Sequence, residues 1–342
     1  MGIFIDQTGY LPASRKVATT TFPCNFQLID STTQHAVYDG VSTDSGMDES
    51  AGEQVYQLDF SKVSTPGSYY VLAGNGERSH TFVIGEHVYE QLQLDLMKCF
   101  YFQRCGCALT REYAGEYTHA ACHTEDAVFL EDYMNQTPDP PHFDMTGGWH
   151  DAGDFGRYIS PAAVAVGHLL YAYELFPESF QASLHIPESG NLLPDILNEC
   201  LYELKWMLKM QADNGGVYHK LTSFVHADFL MPEEDKLPFL IYPVSTMATA
   251  DFAASMALAS RVYAPFDKAF STQALEASRK AFAYMESHPY IGFHNPEGSN
   301  TGEYDDDCDI DERLWASAEL LRTDTAHRDT YLKAFEKYSS MT

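Results

Sequence analysis

The segment from Asp144 to Tyr158 carries the densest chemistry in the sequence. It reads Asp-Met-Thr-Gly-Gly-Trp-His-Asp-Ala-Gly-Asp-Phe-Gly-Arg-Tyr, with Asp151 and Asp154 three positions apart. Hydrolysis of a glycosidic bond needs one carboxylate to deprotonate water and one carboxylic acid to protonate the leaving oxygen. Two acidic groups this close could hold a water between them, and Arg157 could offset part of their repulsion. The same spacing also suits a capping or Asp–Gly turn, or a calcium loop. Spacing by itself leaves all three open.

The elements that must position this segment follow from periodicity. The segment matches neither a helical nor a strand repeat, and it holds Gly147, Gly148, Gly153 and Gly156. Loops of this kind often carry function on a rigid scaffold. Just after it, Ser160 and Pro161 give an N-cap and a first-turn proline for a helix over 161–176. Leu193, Ile196, Leu197, Cys200, Leu201, Leu204, Met207 and Leu208 repeat at three and four, the apolar face of another helix. Further helices are expected over 88–104, 246–263, 268–287, 309–323 and 328–339. Residues 1 to about 86 read differently. Short β-rich runs at 3–5, 17–20, 26–29, 55–60, 68–72 and 81–84 are separated by Gly, Pro, Asn and Ser clusters, the pattern of a sandwich. An all-β region followed by an all-α region predicts two domains, 1–86 and 87–342, rather than an alternating α/β fold.

Composition narrows the partners. The 342 residues carry 49 Asp and Glu against 21 Lys and Arg, a formal charge of −28. A field of that sign repels phosphate, so nucleic acid and anionic membrane are not expected partners. Neutral or cationic substrates fit better. No stretch approaches the roughly 20 apolar residues of a membrane span. The start lacks a basic and apolar leader. The expectation is a cytoplasmic protein if it is leaderless, and a secreted one if a signal was removed.

The seven cysteines are odd in number, and four of them fall between 99 and 122. That does not read as a disulfide framework. Cys105, Cys122, His123 and His142 make a candidate Cys2His2 zinc set, closed by four protein ligands and therefore structural. Cys107 and His119 could each replace a member. Buried thiols and solvated histidines are the other reading of the same residues. The run from Glu303 to Glu312 offers crowded hard oxygen ligands of the sort calcium takes, without EF-hand spacing. It equally suits a solvated acidic start to the following helix.

Five ordered segments carry a family resemblance. Gly147–Tyr158 resembles the Gly-Gly-Trp-(Tyr/His)-Asp-Ala-Gly-Asp loop of glycoside hydrolase family 9. Asp6–Pro12 resembles the opening of that family's immunoglobulin-like module, and Leu204–Lys220 its helix and sugar-contacting His loop. Ser245–Ser260 resembles its Ser-Thr-x-Ala-Thr-Ala-Asp-Phe helix, and Gly302–Trp315 its later Asp-Glu-x-x-Trp segment.

The resemblance implies an immunoglobulin-like sandwich followed by an (α/α)6 barrel, and an inverting mechanism. It makes Asp154 the general base and gives Asp151 a share in holding the nucleophilic water. His219 becomes a sugar contact, and Trp149, His150 and Tyr304 groove residues, although plain packing explains these last three as well. It favours structural zinc on Cys105, Cys122, His123 and His142, and calcium on Asp307, Asp311 and Glu312. Family members continue well beyond position 342, where their general-acid Glu lies. The resemblance therefore implies an incomplete barrel lacking that residue. The leading function is a β-1,4-glucan endoglucanase. The alternatives are an exo-acting oligosaccharide hydrolase, such as an exo-β-glucosaminidase or cellobiosidase, and a non-catalytic carbohydrate-binding chain.

Overall fold

The computed structural model describes residues 2–341. The chain divides into two compact units, Met1–Leu96 and Met97–Thr342. The boundary between them falls inside the first helix, α1 (Glu90–Phe102).

The first unit has two four-stranded sheets. One runs β1 (Ile3–Phe4), β2 (Val17–Thr20), β6 (Glu53–Asp59), β5 (Thr43–Asp48); the other runs β4 (Ala36–Val41), β3 (Asn25–Asp30), β7 (Gly67–Ala73), β8 (Phe82–Ile84). Both sheets feed one apolar core, which includes Ala18, Leu58 and Phe60 from or beside the first and Phe26, Leu28, Val71 and Phe82 from the second. The Tyr10 ring stands edge-on to Phe60 and Phe82, with centroids 5.2 Å away in each case. The sequence pattern did not disclose β4 or β5, which are consecutive in the chain but sit at the edges of different sheets. Every residue of β5 is exposed, so no alternation marks it.

The second unit is helical. After α1 come α2 (Arg111–Ala114), α3 (Leu130–Met134), α4 (Ile159–Leu175), α5 (Asp195–Lys209), α6 (Thr246–Tyr263), α7 (Lys268–Ser287), α8 (Ile310–Thr323) and α9 (Arg328–Ser339). Helix α6 is the hub. It packs on α4, α5, α7 and α8, and all of it is buried except Arg261. Its Ala and Ser residues allow that close approach on several sides. The Ser245 hydroxyl accepts from Ala248 N–H and starts the helix. Helix α4 starts at Ile159, one residue before the expected Ser160 cap, and Ser160 makes no capping bond.

Short strands tie the connecting loops together. A sheet forms in the order β10 (Arg157–Tyr158), β12 (Lys220–Thr222), β13 (Leu240–Ile241), β9 (Val128–Phe129). Strand β11 (Val217–Tyr218) pairs with β14 (Val244–Ser245). Among the described residues no helix is long and apolar enough to cross a membrane.

Candidate active site and metal centre

The Gly147–Tyr158 loop is held from below by helix α5. Trp149 N–H donates to the Glu203 carboxylate at 2.5 Å, and the Trp149 indole N–H donates to Glu199 at 2.8 Å. Gly148 has φ +78°, and a Cβ there would lie 2.8 Å from the Trp206 ring, so the loop needs glycine to lie flat on the helix. The Arg157 guanidinium, buried, donates to the Met145 and Gly147 carbonyls at 2.8 and 2.6 Å. It braces the backbone of the loop and pairs with no aspartate. Burial pushes Glu203 up to about 8, and Glu199 is likewise raised by burial, against the pull of Arg104. Arg104 meets Glu199 at 2.9 Å and Glu188 at 3.0 Å.

Above this base, Asp151 and Asp154 line a cleft of about 530 Å³ together with Tyr158, His226, Phe229, Asn300, Gly302 and Tyr304. Each aspartate is gripped by one tyrosine. Tyr158 O–H donates to Asp154 Oδ2 at 2.6 Å, and Tyr304 O–H donates to Asp151 Oδ2 at 2.5 Å. His226 Nδ1 lies 3.4 Å from Asp154 Oδ2, and Gly302 N–H donates to the Tyr158 hydroxyl at 3.1 Å. Burial raises the Asp151 carboxyl, Tyr304 pulls it back, and the neighbouring Asp154 charge raises it again. Two carboxyl groups fixed by donors on a cleft floor can orient a water and take its proton. The lining of this cleft contains no glutamate among the described residues.

The other expected sugar contacts are placed less simply. Trp149 is buried, with its N–H already spent on Glu199, and presents only ring surface to a smaller apolar pocket beside Asp151. His219 is also buried. Its Nε2–H donates to the Glu303 carbonyl at 2.8 Å, its Nδ1 accepts from Ser245 at 2.9 Å, and its ring stacks on Phe293 with centroids 4.1 Å apart. Burial holds it down to about 4, a neutral imidazole. Tyr304 is half-exposed in the cleft. Sequence reasoning missed Tyr158, His226 and Gly302. Tyr158 had a signal, since it closes the same glycine-rich segment four residues after Asp154.

His150 belongs elsewhere. Cys105, Cys122, His123 and His150 bring their ligand atoms within 4.8 Å of one another. Cys105 Sγ lies 3.6 Å from His123 Nδ1, Cys122 Sγ 3.8 Å from His150 Nε2, and the two imidazole nitrogens are 3.3 Å apart. His142 is exposed and outside this cluster, so His150 takes the place expected for it. The reason is topological: His142 is exposed beside the Phe143–Ala127 bridge, whereas the His150 backbone N–H is bonded to Gln103 O at 2.7 Å and Cys105 N–H to Gly148 O at 2.8 Å. His123 Nε2 is backed by the buried Asp235 carboxylate at 3.2 Å. Interaction with Cys105 pulls the Cys122 thiol down to about 2, while burial keeps Cys105 up.

The acidic run is divided. Asp305 joins His294 and Glu303 in an exposed cluster with ligand atoms within 4.8 Å. Asp307 is exposed and lies outside it. Asp309 is committed to Arg313 at 2.8 Å. Glu312 is pushed up to about 8 by burial and by Asp251, and its Oε2 is buried without a partner. Asp251, buried in α6, is raised to about 7 by burial and by the Asp311 charge.

Comparison with known proteins agrees with this geometry. The sequence pattern of Glycosyl hydrolase family 9 matches residues 89–342, and that of the Cellulase N-terminal ig-like domain matches residues 1–79. A cellodextrinase of Butyrivibrio fibrisolvens is 42% identical over 325 residues, 93% of this chain and 58% of that protein. The chain thus spans little more than half the length of that relative. The solved structure of AaCel9A in complex with cellobiose-like isofagomine superposes with a TM-score of 0.89 at 35% identity, over 99% of this chain and 62% of the other. A Zn-binding triple mutant of GH family 9 endoglucanase J30 gives 0.84 at 36%, over 94% and 62%. The helical unit has the (α/α)6-barrel fold of these neighbours, and the first unit is the immunoglobulin-like module.

Proposed function

Because the chain belongs to glycosyl hydrolase family 9, we propose that it serves the inverting hydrolysis of β-1,4-glycosidic bonds in cellulose-type glucans, with Asp154 as general base and Asp151 holding the attacking water. The carrying observation is the pair of aspartates on one cleft floor, each fixed by a tyrosine hydroxyl. The Tyr158 and His226 contacts both fall on Asp154 Oδ2, which leaves Oδ1 with one long contact from Gly156 N–H at 3.4 Å and free to accept a water proton. The water's oxygen then attacks the anomeric carbon as the glycosidic bond breaks, and the departing oxygen takes a proton from an acid. A cellodextrinase relative at 42% identity favours short β-1,4 gluco-oligosaccharides over the polymer. The net charge of −28 also suits cationic glucosamine oligomers, the exo-acting alternative.

The test isolates the base. An aryl cellobioside with a dinitrophenolate leaving group departs without protonation, so it needs only the base half of the machinery. Turnover is expected to release the α-anomer and to fall by about 10²–10⁴-fold in Asp154→Asn. Equal turnover by both proteins would refute the assignment.

Zinc fits the Cys105, Cys122, His123 and His150 set. Tetrahedral bonds of about 2.3 Å to sulfur and about 2.0 Å to nitrogen give S···N edges of about 3.5 Å and N···N edges of about 3.3 Å. The observed 3.6, 3.8 and 3.3 Å follow that geometry. Bound there, the ion would crosslink the loop one residue before Asp151, with Asp235 orienting His123. Elemental analysis is expected to show one zinc per chain, lost in a Cys122→Ser/His150→Ala variant; full retention of zinc by that variant would remove the site. Calcium, expected on Asp307, Asp311 and Glu312, finds support only in the charge effects among Asp251, Asp311 and Glu312; among the described residues these carboxylates form no close ligand group.

A further inference from the structure

We infer that Lys220 is a positioning residue for the water-activating pair, acting through Gly302 on both tyrosines that grip the aspartates. This rests on the glycosidase reading only for its functional meaning; the contacts stand without it. Lys220 is fully buried in β12, directly opposite Tyr158 in the β10–β12 register. Its ammonium has no carboxylate within hydrogen-bond reach. It donates instead to three neutral oxygens of one loop, Asn295 Oδ1 at 2.6 Å, Gly302 O at 2.7 Å and Thr301 Oγ1 at 3.1 Å. The Tyr242 and Phe293 rings face it, with centroids 4.4 and 5.1 Å away. A desolvated lysine with only neutral acceptors is costly to keep, which marks the position as one that the fold does not fill by packing alone.

What that lysine fixes is Gly302. The carbonyl of Gly302 is clamped by Lys220, while its amide N–H donates to Tyr158, whose hydroxyl donates to Asp154. A Cβ on Gly302 would come 2.8 Å from the Tyr304 ring and 3.3 Å from the Tyr158 ring. Both rings therefore rest on this one residue, and Tyr304 holds Asp151. Displacing Gly302 by a few tenths of an ångström moves both donors off both carboxylates.

Burial pushes the Lys220 ammonium down to about 7, and Glu303 and Asp154 draw it back up. The groups facing Asp154 are Asp151, Tyr158, Tyr304, His226 and this ammonium. The groups facing Lys220 are Glu303, Asp154, Tyr158 and the neutral His219.

The test is a carboxyl ¹³C titration of Asp154 in the wild-type chain and in Lys220→Met. The midpoint for Asp154 is expected to rise by about half a unit to one unit in the variant, as the Tyr158 donor and the nearby cation are lost. On the activated cellobioside, kcat is expected to fall about tenfold with KM changed less than about twofold, the signature of misplaced chemistry rather than lost binding. An unchanged Asp154 titration in a folded Lys220→Met overturns the inference. If that variant does not fold, Gly302→Ala keeps Lys220 and sets a Cβ against the Tyr304 and Tyr158 rings, and an unchanged titration there overturns it equally. The titration needs no turnover, so a chain with no glycosidase activity would sink the functional reading and still test Lys220.

Discussion

The two units bury different things. The sandwich core is almost wholly apolar, with rings of Tyr10, Phe26, Phe60 and Phe82 and few polar groups such as Lys16 and Thr20. The helical unit buries Arg104, Arg157, Glu199, Glu203, His219, Lys220, Asp251 and Arg313. Burying a charge is costly unless it is paired or neutralised. Six of these groups are spent on loops: Arg104, Glu199, Glu203 and Arg157 under the Asp151–Asp154 segment, and His219 and Lys220 under the 295–304 segment. Strands that pack face to face need no such braces. A loop without its own periodicity does, because its backbone groups must find partners elsewhere.

That contrast can be broken most forcefully at Arg104. Arg104→Met leaves Glu199 buried without its cation, and is expected to cost about 3–5 kcal/mol in urea unfolding of the helical unit. A loss under about 1 kcal/mol would mean that the buried ions are ornament. In the sandwich, Phe60→Leu removes ring volume but strands no charge. It is expected to cost about 1–2 kcal/mol and to leave the aspartate loop undisturbed, as read from the Trp149 fluorescence.

A further test sharpens the comparison through pH. Burial pushes the Glu203 carboxyl up to about 8 in the folded chain, above the ordinary carboxylate range of the unfolded one. A raised acid contributes stability that is full below its unfolded pKa and is lost as pH rises through the folded value. Stability is therefore expected to decline between about pH 4.5 and 8. Glu203→Gln keeps an acceptor for Trp149 N–H and should flatten that decline. An identical slope in the variant would place the titration elsewhere, with Asp251 and Glu312 the next groups of the same sign.

The sequence disclosed whatever periodicity or local spacing encodes. The apolar stripe of α5 and the alternation in β3 are of this kind, and so is the Asp-x-x-Asp pair in its glycine-rich loop. It did not disclose β4, where only Tyr38 and Gly40 are half-buried, or β5, every residue of which is exposed; both lie at a sheet edge. It pointed to His142 as the fourth candidate ligand, where the structure brings His150 to the cluster. Both precede the aspartates, and long-range backbone bonds, His150 N–H to Gln103 O and Cys105 N–H to Gly148 O, bring His150 to Cys105. Lys220 and Gly302 were invisible as partners for the same reason: their contact spans 82 positions and leaves no local trace.

The span of these contacts has a kinetic meaning. Tyr304 reaches Asp151 across 153 positions, and Gly302 reaches Tyr158 across 144. Closing loops of that length is entropically late, whereas α4 and α6 gain their hydrogen bonds locally. During refolding, circular dichroism should recover before the two tyrosines are seated. In that interval the chain has its helices and both aspartates, but nothing yet aims them.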